Sequence, residues 1–233
     1  MKYAKIQQAR FINRPNRFIA RVEIEGMEFK RMETVHVRNT GRCREILIPG
    51  TTVFLEEVNK PDRKTRFSLI SAYKDHRLIN IDSQIPNAVV AEAIRNRVLD
   101  RFQPLTLLKA ETVFGESRFD FYYETEAAKG FIEVKGVTLE RDGVALFPDA
   151  PTERGTKHLH ELIKTVAEGY QSYVLFLIQM KGVTCFQPNT AMDSAFANAL
   201  KKASTQGVKI LAYDSNITPD GIALNHPVPV QLS

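Results

Sequence analysis

The sequence predicts two parts of different architecture. A small antiparallel β-barrel spans residues 1–84, and a mixed sheet flanked by helices, of the α/β or α+β kind, spans residues 85–233. Three observations predict this. Five or so short alternating segments, separated by turn signals, occupy the first 84 residues. The period then lengthens at "SQIPNAVVAEAIRNRVLD", where apolar residues recur at helical spacing. The charge changes at the same place: residues 1–86 hold 17 Lys and Arg against 10 Asp and Glu, a net of +7, whereas residues 87–233 net −2.

The elements follow in order. "FIARVEIEG" sets Phe18, Ala20, Val22 and Ile24 on one face, which places Phe18 in the barrel core, and leaves a mostly polar face opposite. "METVHVRN" repeats the alternation and ends at "NTG", a turn signal. "EILIPGTTVFLEEV" reads as two strands around Pro49-Gly50, and "RFSLISAYKD" and "HRLINIDS" as two more. Asn87 is placed to cap a helix whose apolar stripe is Val90, Ala93, Ile94 and Val98. Strands follow at 105–113, 118–125 and 130–138, then a hairpin turn at 141–143 and "VALF". A helix over about 156–170 carries Leu159, Leu162, Ile163 and Val166 at helical spacing. "SYVLFLIQM" is a continuous apolar strand of the kind buried on both faces, followed by a helix near 190–206 and a last strand, "VKILAYD".

Composition narrows the function. The 233 residues are 43% hydrophobic and 25% charged, as in globular domains with their own cores, and the net charge of +5 permits a nucleic-acid partner. Cys43 and Cys185 lie far apart without metal-ligand spacing, so they read as small buried apolar residues of a reducing compartment. The start lacks the apolar stretch of a signal peptide, and the run "VLFLI" is too short to span a bilayer; a cytoplasmic protein without membrane partners is expected. A Gly-rich phosphate loop, a Ser-His-Asp set and a dinucleotide fingerprint are all absent.

One charged constellation stands out. In "GFIEVKGVTL", Glu133 and Lys135 share a face of a strand whose other face carries Ile132 and Val134. Before it, "FGES" fits a two-residue turn with Gly115 where a positive φ is needed. Pairing Phe114 with Ser117 sets Val113 opposite Arg118, Thr112 opposite Phe119 and Glu111 opposite Asp120. Two carboxylates so placed repel unless one keeps its proton or cations neutralise both. A Glu-x-Lys beside an Asp fits a plain ion-pair cluster on a solvated face. It equally fits a site in which Glu111, Asp120 and Glu133 hold Mg²⁺ (or Mn²⁺) with Lys135 beside the reacting phosphate. The apolar neighbours Phe119, Phe121, Phe131, Ile132 and Val134 favour the second, because buried charges need a reason.

Asp120 followed thirteen residues later by Glu133-Val134-Lys135, on this helix-strand-helix background, resembles the restriction-endonuclease-like PD-(D/E)xK core. Phe119 stands where that signature has its proline. More closely, "RFIARVEIEG", "HVRNTGRCREILIPG", "LLKAETVFGESRFDFYYE", "GFIEVKGVTLERDGVALFPDAPTERGTKHLHEL" and "YVLFLIQM" resemble the sugar fermentation stimulation protein A family over nearly the whole chain. The resemblance implies an OB-like N-terminal barrel, a nuclease-like C-terminal domain, DNA binding and a connection with regulation of sugar (maltose) metabolism genes. It sets Glu111, Asp120, Glu133 and Lys135 on matching motif positions. Many nucleases of this fold act as dimers, which leaves a homodimer open. Resemblance to a nuclease does not itself establish cleavage.

On an OB-like barrel, "ARFINRPNRF" and "HVRNTGRCR" bring Arg10, Arg14, Arg17, Arg38, Arg42 and Arg44 together with Phe11 and Phe18, a combination suited to nucleic-acid backbone and bases. Arg154 and Lys157, near a helix start in "FPDAPTERGTKHLHEL", are candidates for phosphate contact, and Asp149 or Thr152 for the cap. His158 and His160 read as surface histidines, two apart and unable to chelate one metal from one helix face. Glu92 falls opposite its helix's apolar stripe. The sequence thus points to a sequence-nonspecific DNA-binding protein with a Mg²⁺-dependent phosphodiesterase site. The alternatives are a DNA-binding regulator on an inactive nuclease scaffold and an RNA-processing nuclease.

Overall fold

The computed structural model describes residues 1–25, 30–39, 41–58 and 63–232. The chain forms two compact units. One comprises residues 1–85 with 179–181 and 215–223; the other comprises residues 86–178, 182–214 and 224–233.

The first unit holds six strands: β1 (Ile6–Asn16), β2 (Ile19–Glu25), β3 (Lys30–Val37), β4 (Thr52–Glu57), β5 (Phe67–Lys74) and β6 (Arg77–Asn80). Their order is β3-β2-β1-β4-β5-β6. β3 also pairs with β5, His36 opposite Ser68 and Val37 opposite Leu69, and this closes a five-stranded OB-like barrel. The closing pair is parallel, a departure from the expected all-antiparallel barrel; β1–β2, β1–β4, β2–β3, β4–β5 and β5–β6 pair antiparallel. Ala20, Val22, Ile24, Val35, Val37, Val53, Leu55 and Leu69 fill the interior by simple alternation.

Three local expectations change. Phe18 is 51% exposed, against its expected place in the barrel core, and Phe11 is buried. Phe18 belongs to the β1–β2 turn, where the Asn16 Oδ1 accepts from the amides of Phe18 and Ile19, so the alternation starts only at Ile19. Residues 45–48 form no strand, and a turn covers 44–46: the amides of Ile46 and Leu47 donate to the Cys43 carbonyl, and both side chains are buried. Thr40, the centre of the expected Asn-Thr-Gly turn, lies outside the described residues; across it the Gly41 amide donates to Asn39 Oδ1 at 2.6 Å.

The second unit begins with α1 (Pro86–Arg95) and continues with β7 (Leu105–Phe114), β8 (Ser117–Thr125), β9 (Lys129–Val137), β10 (Leu139–Arg141) and β11 (Val144–Phe147). Then come α2 (Glu153–Ala167), β12 (Gln171–Ile178), β13 (Cys185–Pro188), α3 (Ser194–Thr205), β14 (Lys209–Thr218) and β15 (Gly221–Pro227), of which residues 215–218 of β14 and 221–223 of β15 count with the first unit. A six-stranded mixed sheet runs β15-β14-β12-β9-β8-β7, with β12 parallel to both β9 and β14 and the β7–β8–β9 portion antiparallel. β12 is central and apolar, and every residue after Gln171 is buried. Gly130 permits the close approach of β9 to β12, since a Cβ there would lie 1.6 Å from the Gln171 carbonyl oxygen. Two short strands escape the sequence pattern: β13, which pairs with β11, and β15 beside β14.

α1 packs through the expected Val90, Ala93 and Ile94, and α2 through a face rotated from the one expected. α1 buries Val89, Val90, Ala91, Ala93 and Ile94; Val98 falls beyond its end and is exposed. α2 is capped by Thr152, whose Oγ accepts from the Gly155 amide at 3.0 Å. It buries His158, Leu159, Glu161, Leu162 and Thr165, whereas Ile163 and Val166 are only half-buried. That rotation turns a histidine and a glutamate toward the sheet. Among the described residues no helix is long and apolar enough to cross a membrane.

Candidate active site

Strand geometry delivers the acidic residues. β7 and β8 join through the expected turn, with Phe114 opposite Ser117 and Gly115 at φ +54°. The predicted register holds at Val113–Arg118 and Thr112–Phe119, and continues at Ala110–Phe121. Between these pairs Glu111 adopts φ +51°, which takes it out of the strand's pleat. Its side chain is 69% exposed and lies 3.4 Å from Arg118 Nη1. Glu111 therefore stands apart, while Asp120, Glu133 and Lys135 come together.

Asp120 lies where the β8–β9 ladder ends. That ladder runs from Glu124–Lys129 to Phe121–Ile132. Beyond it the Val134 amide donates to Asp120 Oδ2 at 2.7 Å, so a carboxylate takes a backbone donor. Asp120 Oδ1 accepts from Asn87 Nδ2 at 2.7 Å. Asn87 is the second residue of α1 and serves the acid rather than capping the helix.

Glu133 is 3% exposed. Its Oε1 accepts from Lys135 Nζ at 2.5 Å and faces His158 Nδ1, which must carry the proton to donate to a carboxylate. His158 is 6% exposed rather than a surface residue, and its ring stands edge-on to Phe119 with centroids 5.9 Å apart. Glu133 Oε2 is buried without a hydrogen-bond partner. A bare, buried carboxylate oxygen is costly, and native folds rarely keep one without use.

The two acids are driven apart in proton affinity. Burial pushes the Asp120 carboxyl up and the Glu133 charge adds to this, against the Val134 and Asn87 donors and Lys135. Burial also pushes Glu133 up, but the His158 hydrogen bond and the Lys135 charge outweigh it and hold Glu133 below the ordinary range. Such divergence in one cluster makes the two carboxylates candidates for a functional site. Two acids, not three, meet here: among the described residues no group of three or more His, Cys, Asp or Glu is poised around one ion.

Sequence reading missed His158 and Asn87. For His158 a signal existed, since it adjoins Leu159 and precedes Leu162 by one turn. Asn87 carried none, because cap and site ligand look alike in sequence. Around the site Arg154 is exposed, Lys157 Nζ lies 3.4 Å from Glu116, and His160 and Glu92 are exposed.

The barrel arginines divide by role. Arg14 donates to four carbonyls, those of Arg17, Asn39, Gly41 and Arg42, at 2.5–2.8 Å. Arg38 is bound to Asp82 and Glu56. Arg10 reaches the Gly50 carbonyl at 3.4 Å. Arg17, Arg42 and Arg44 are exposed, and with Arg14, Phe11 and Leu47 they line a cleft of about 460 Å³.

A model of the SfsA N-terminal OB domain matches residues 12–81, and a model of the sugar fermentation stimulation protein RE domain matches residues 84–221. The chain belongs to the sugar fermentation stimulation protein family. It is 55% identical over 232 residues to the homolog from Desulfitobacterium hafniense strain Y51, covering 100% of this chain and 99% of that one. It is 54% identical over 235 residues to the homolog from Alkaliphilus oremlandii, covering 99% and 98%. Among solved structures, SfsA of Pyrococcus furiosus, determined in complex with Ca²⁺, superposes with a TM-score of 0.86 at 29% identity, covering 99% of this chain and 98% of that one.

Proposed function

We propose that this protein binds DNA with little sequence discrimination and hydrolyses phosphodiester bonds with the help of a hard divalent cation, Mg²⁺ or Mn²⁺. The observation that carries the reading is the bare Glu133 Oε2, buried beside a second carboxylate that it repels. Asp120 and Glu133 are the residues that would hold the cation, since oxygen donors and net negative charge suit a hard ion. The Pyrococcus furiosus relative in complex with Ca²⁺, another oxygen-seeking cation, supports the reading.

When bound, the cation would acidify a water and offset charge on the phosphate. Lys135 is fixed by Glu133 and keeps further N–H donors for a phosphate oxygen. Arg154 and Lys157, exposed in the first turns of α2, suit the flanking phosphates. Arg17, Arg42 and Arg44 on the barrel suit the polymer's backbone, and the apolar floor of their cleft suits a base. Cys43 and Cys185, both buried, fit a reducing compartment, the cytoplasm. The link to sugar (maltose) metabolism genes comes with the family resemblance.

One observation favours a second reading, a regulator that binds DNA without cutting it: Glu111, the third acid of the motif, faces Arg118 instead of the pair. A cleavage assay separates the two. Wild type and Asp120→Ala are incubated with single-stranded, duplex, flapped and branched DNA and ribose counterparts, with Mg²⁺, Mn²⁺ or chelator. Metal-dependent cutting by wild type alone is the expected result. Binding by both proteins without cutting would make the protein a regulator, and cutting confined to ribose substrates would make it an RNA-processing nuclease.

A further inference from the structure

We infer that His158 and Asn87 are positioning residues of the carboxylate pair, fixing one oxygen of each acid so that Glu133 Oε2 is left as the open ligand. The inference rests on the metal-site reading above and deepens it.

Glu133 has two oxygens, and both of its partners, Lys135 Nζ and His158 Nδ1, address Oε1. Lys135 comes from the same strand, two residues on, and its flexible stem alone does not fix the carboxylate plane. His158 comes from α2, and its ring is packed edge-on against the fully buried Phe119. A planar donor locked by packing sets the direction of the acceptor it meets. With Oε1 held from two elements, the carboxylate cannot turn, and Oε2 stays unpartnered although buried.

Asp120 is treated alike. Asn87 Nδ2, from α1, takes Oδ1, and the Val134 amide takes Oδ2. Each Asp120 oxygen keeps a second lone pair, so both remain competent ligands. The site is thus braced from a helix on either acid, Asn87 on α1 for Asp120 and His158 on α2 for Glu133. Supporting donors of this kind typically change metal affinity by about 10- to 100-fold when removed.

The test is calorimetric titration of Mn²⁺ into the folded full-length protein, with thermal unfolding recorded for every variant. His158→Ala is expected to weaken Mn²⁺ binding by about 10- to 100-fold. His158→Asn, whose side-chain amide places N–H close to where Nδ1 stood, is expected to restore most of the affinity; a merely structural role would not discriminate in this way. Asn87→Ala, at a half-buried position, is expected to weaken binding similarly, and it carries the test should His158→Ala not fold. Wild-type affinity in both His158→Ala and Asn87→Ala would overturn the inference. Failure of the underlying reading looks different: wild type would not bind Mn²⁺, or Asp120→Ala would bind it as tightly as wild type.

Discussion

Each compact unit buries a cluster of charged side chains, and the two clusters are finished differently. In the barrel, Arg38 lies between Asp82 at 3.0 Å and Glu56 at 2.6 Å. Around them Gln84 donates its amide to Asp82 Oδ1, Asn80 donates to the Tyr3 hydroxyl, and Gln179 Nε2 serves Asn80 and the Asp82 carbonyl. No oxygen of Asp82 or Glu56 is left buried and unpartnered. In the mixed sheet Asp120 is held by Asn87 and the Val134 amide, Glu133 Oε1 takes both Lys135 and His158, and Glu133 Oε2 has nothing. The closed cluster serves the fold. The open one keeps a bare buried oxygen, and its geometry is maintained by donors from α1 and α2.

The contrast is sharpest in stability. Arg38 is 18% exposed, so Arg38→Ala strands two acids, and the loss expected is about 3–5 kcal/mol by urea denaturation. Asp120→Ala should lose far less, because the repulsion from Glu133 leaves with it. Equal losses would erase the distinction between the clusters.

A divalent cation gives the next largest effect. At about one hundred times its dissociation constant it should stabilise wild type by about 2.7 kcal/mol at neutral pH, read as a rise in Tm, and should do nothing for Asp120→Ala. The sign with pH follows from the two carboxyls. Asp120 is raised, so its contribution to the cation-free fold is complete below the ordinary carboxylate range and is lost as pH rises through its folded value. Glu133 is depressed, so its contribution is present above the ordinary range and is lost as pH falls through its folded value. Below about pH 4 Asp120 keeps its proton and the Tm rise should vanish. A rise that grows on acidification would contradict this.

Smallest are the barrel arginines. Arg17→Ala, Arg42→Ala and Arg44→Ala should each reduce the slope of log affinity against log salt for single-stranded DNA by about 0.7, with Tm unchanged. Arg14→Ala should lower Tm instead, because four carbonyls lose their donor. If Arg14→Ala only weakens DNA binding, the division between bracing and contacting arginines is wrong.

How much of this was legible follows from range. The hairpin at Gly115, its register and the shared face of Glu133 and Lys135 are local consequences of alternation, and they appear in the structure. Glu111 sits in the predicted register but at a positive φ that no glycine or asparagine announces, so its displacement was invisible. The inward faces of α1 and α2 depend on packing, and a polar His158 on the inner face defeats a reading that follows apolar residues alone. The parallel β3–β5 closure and the short β13 and β15 depend on pairing between distant segments. Phe18 was misplaced because alternation was extended one residue past the strand, into the Asn16 turn.

The central claim is that the Asp120–Glu133 pair is left open for a hard cation while the Arg38 cluster is complete. Anomalous diffraction from crystals of the protein soaked in Mn²⁺ tests it most directly. The account predicts a single strong peak within bonding distance of Glu133 Oε2 and an Asp120 oxygen, and none at Asp82 or Glu56. A well-occupied peak elsewhere, with Glu133 Oε2 still bare, would contradict it.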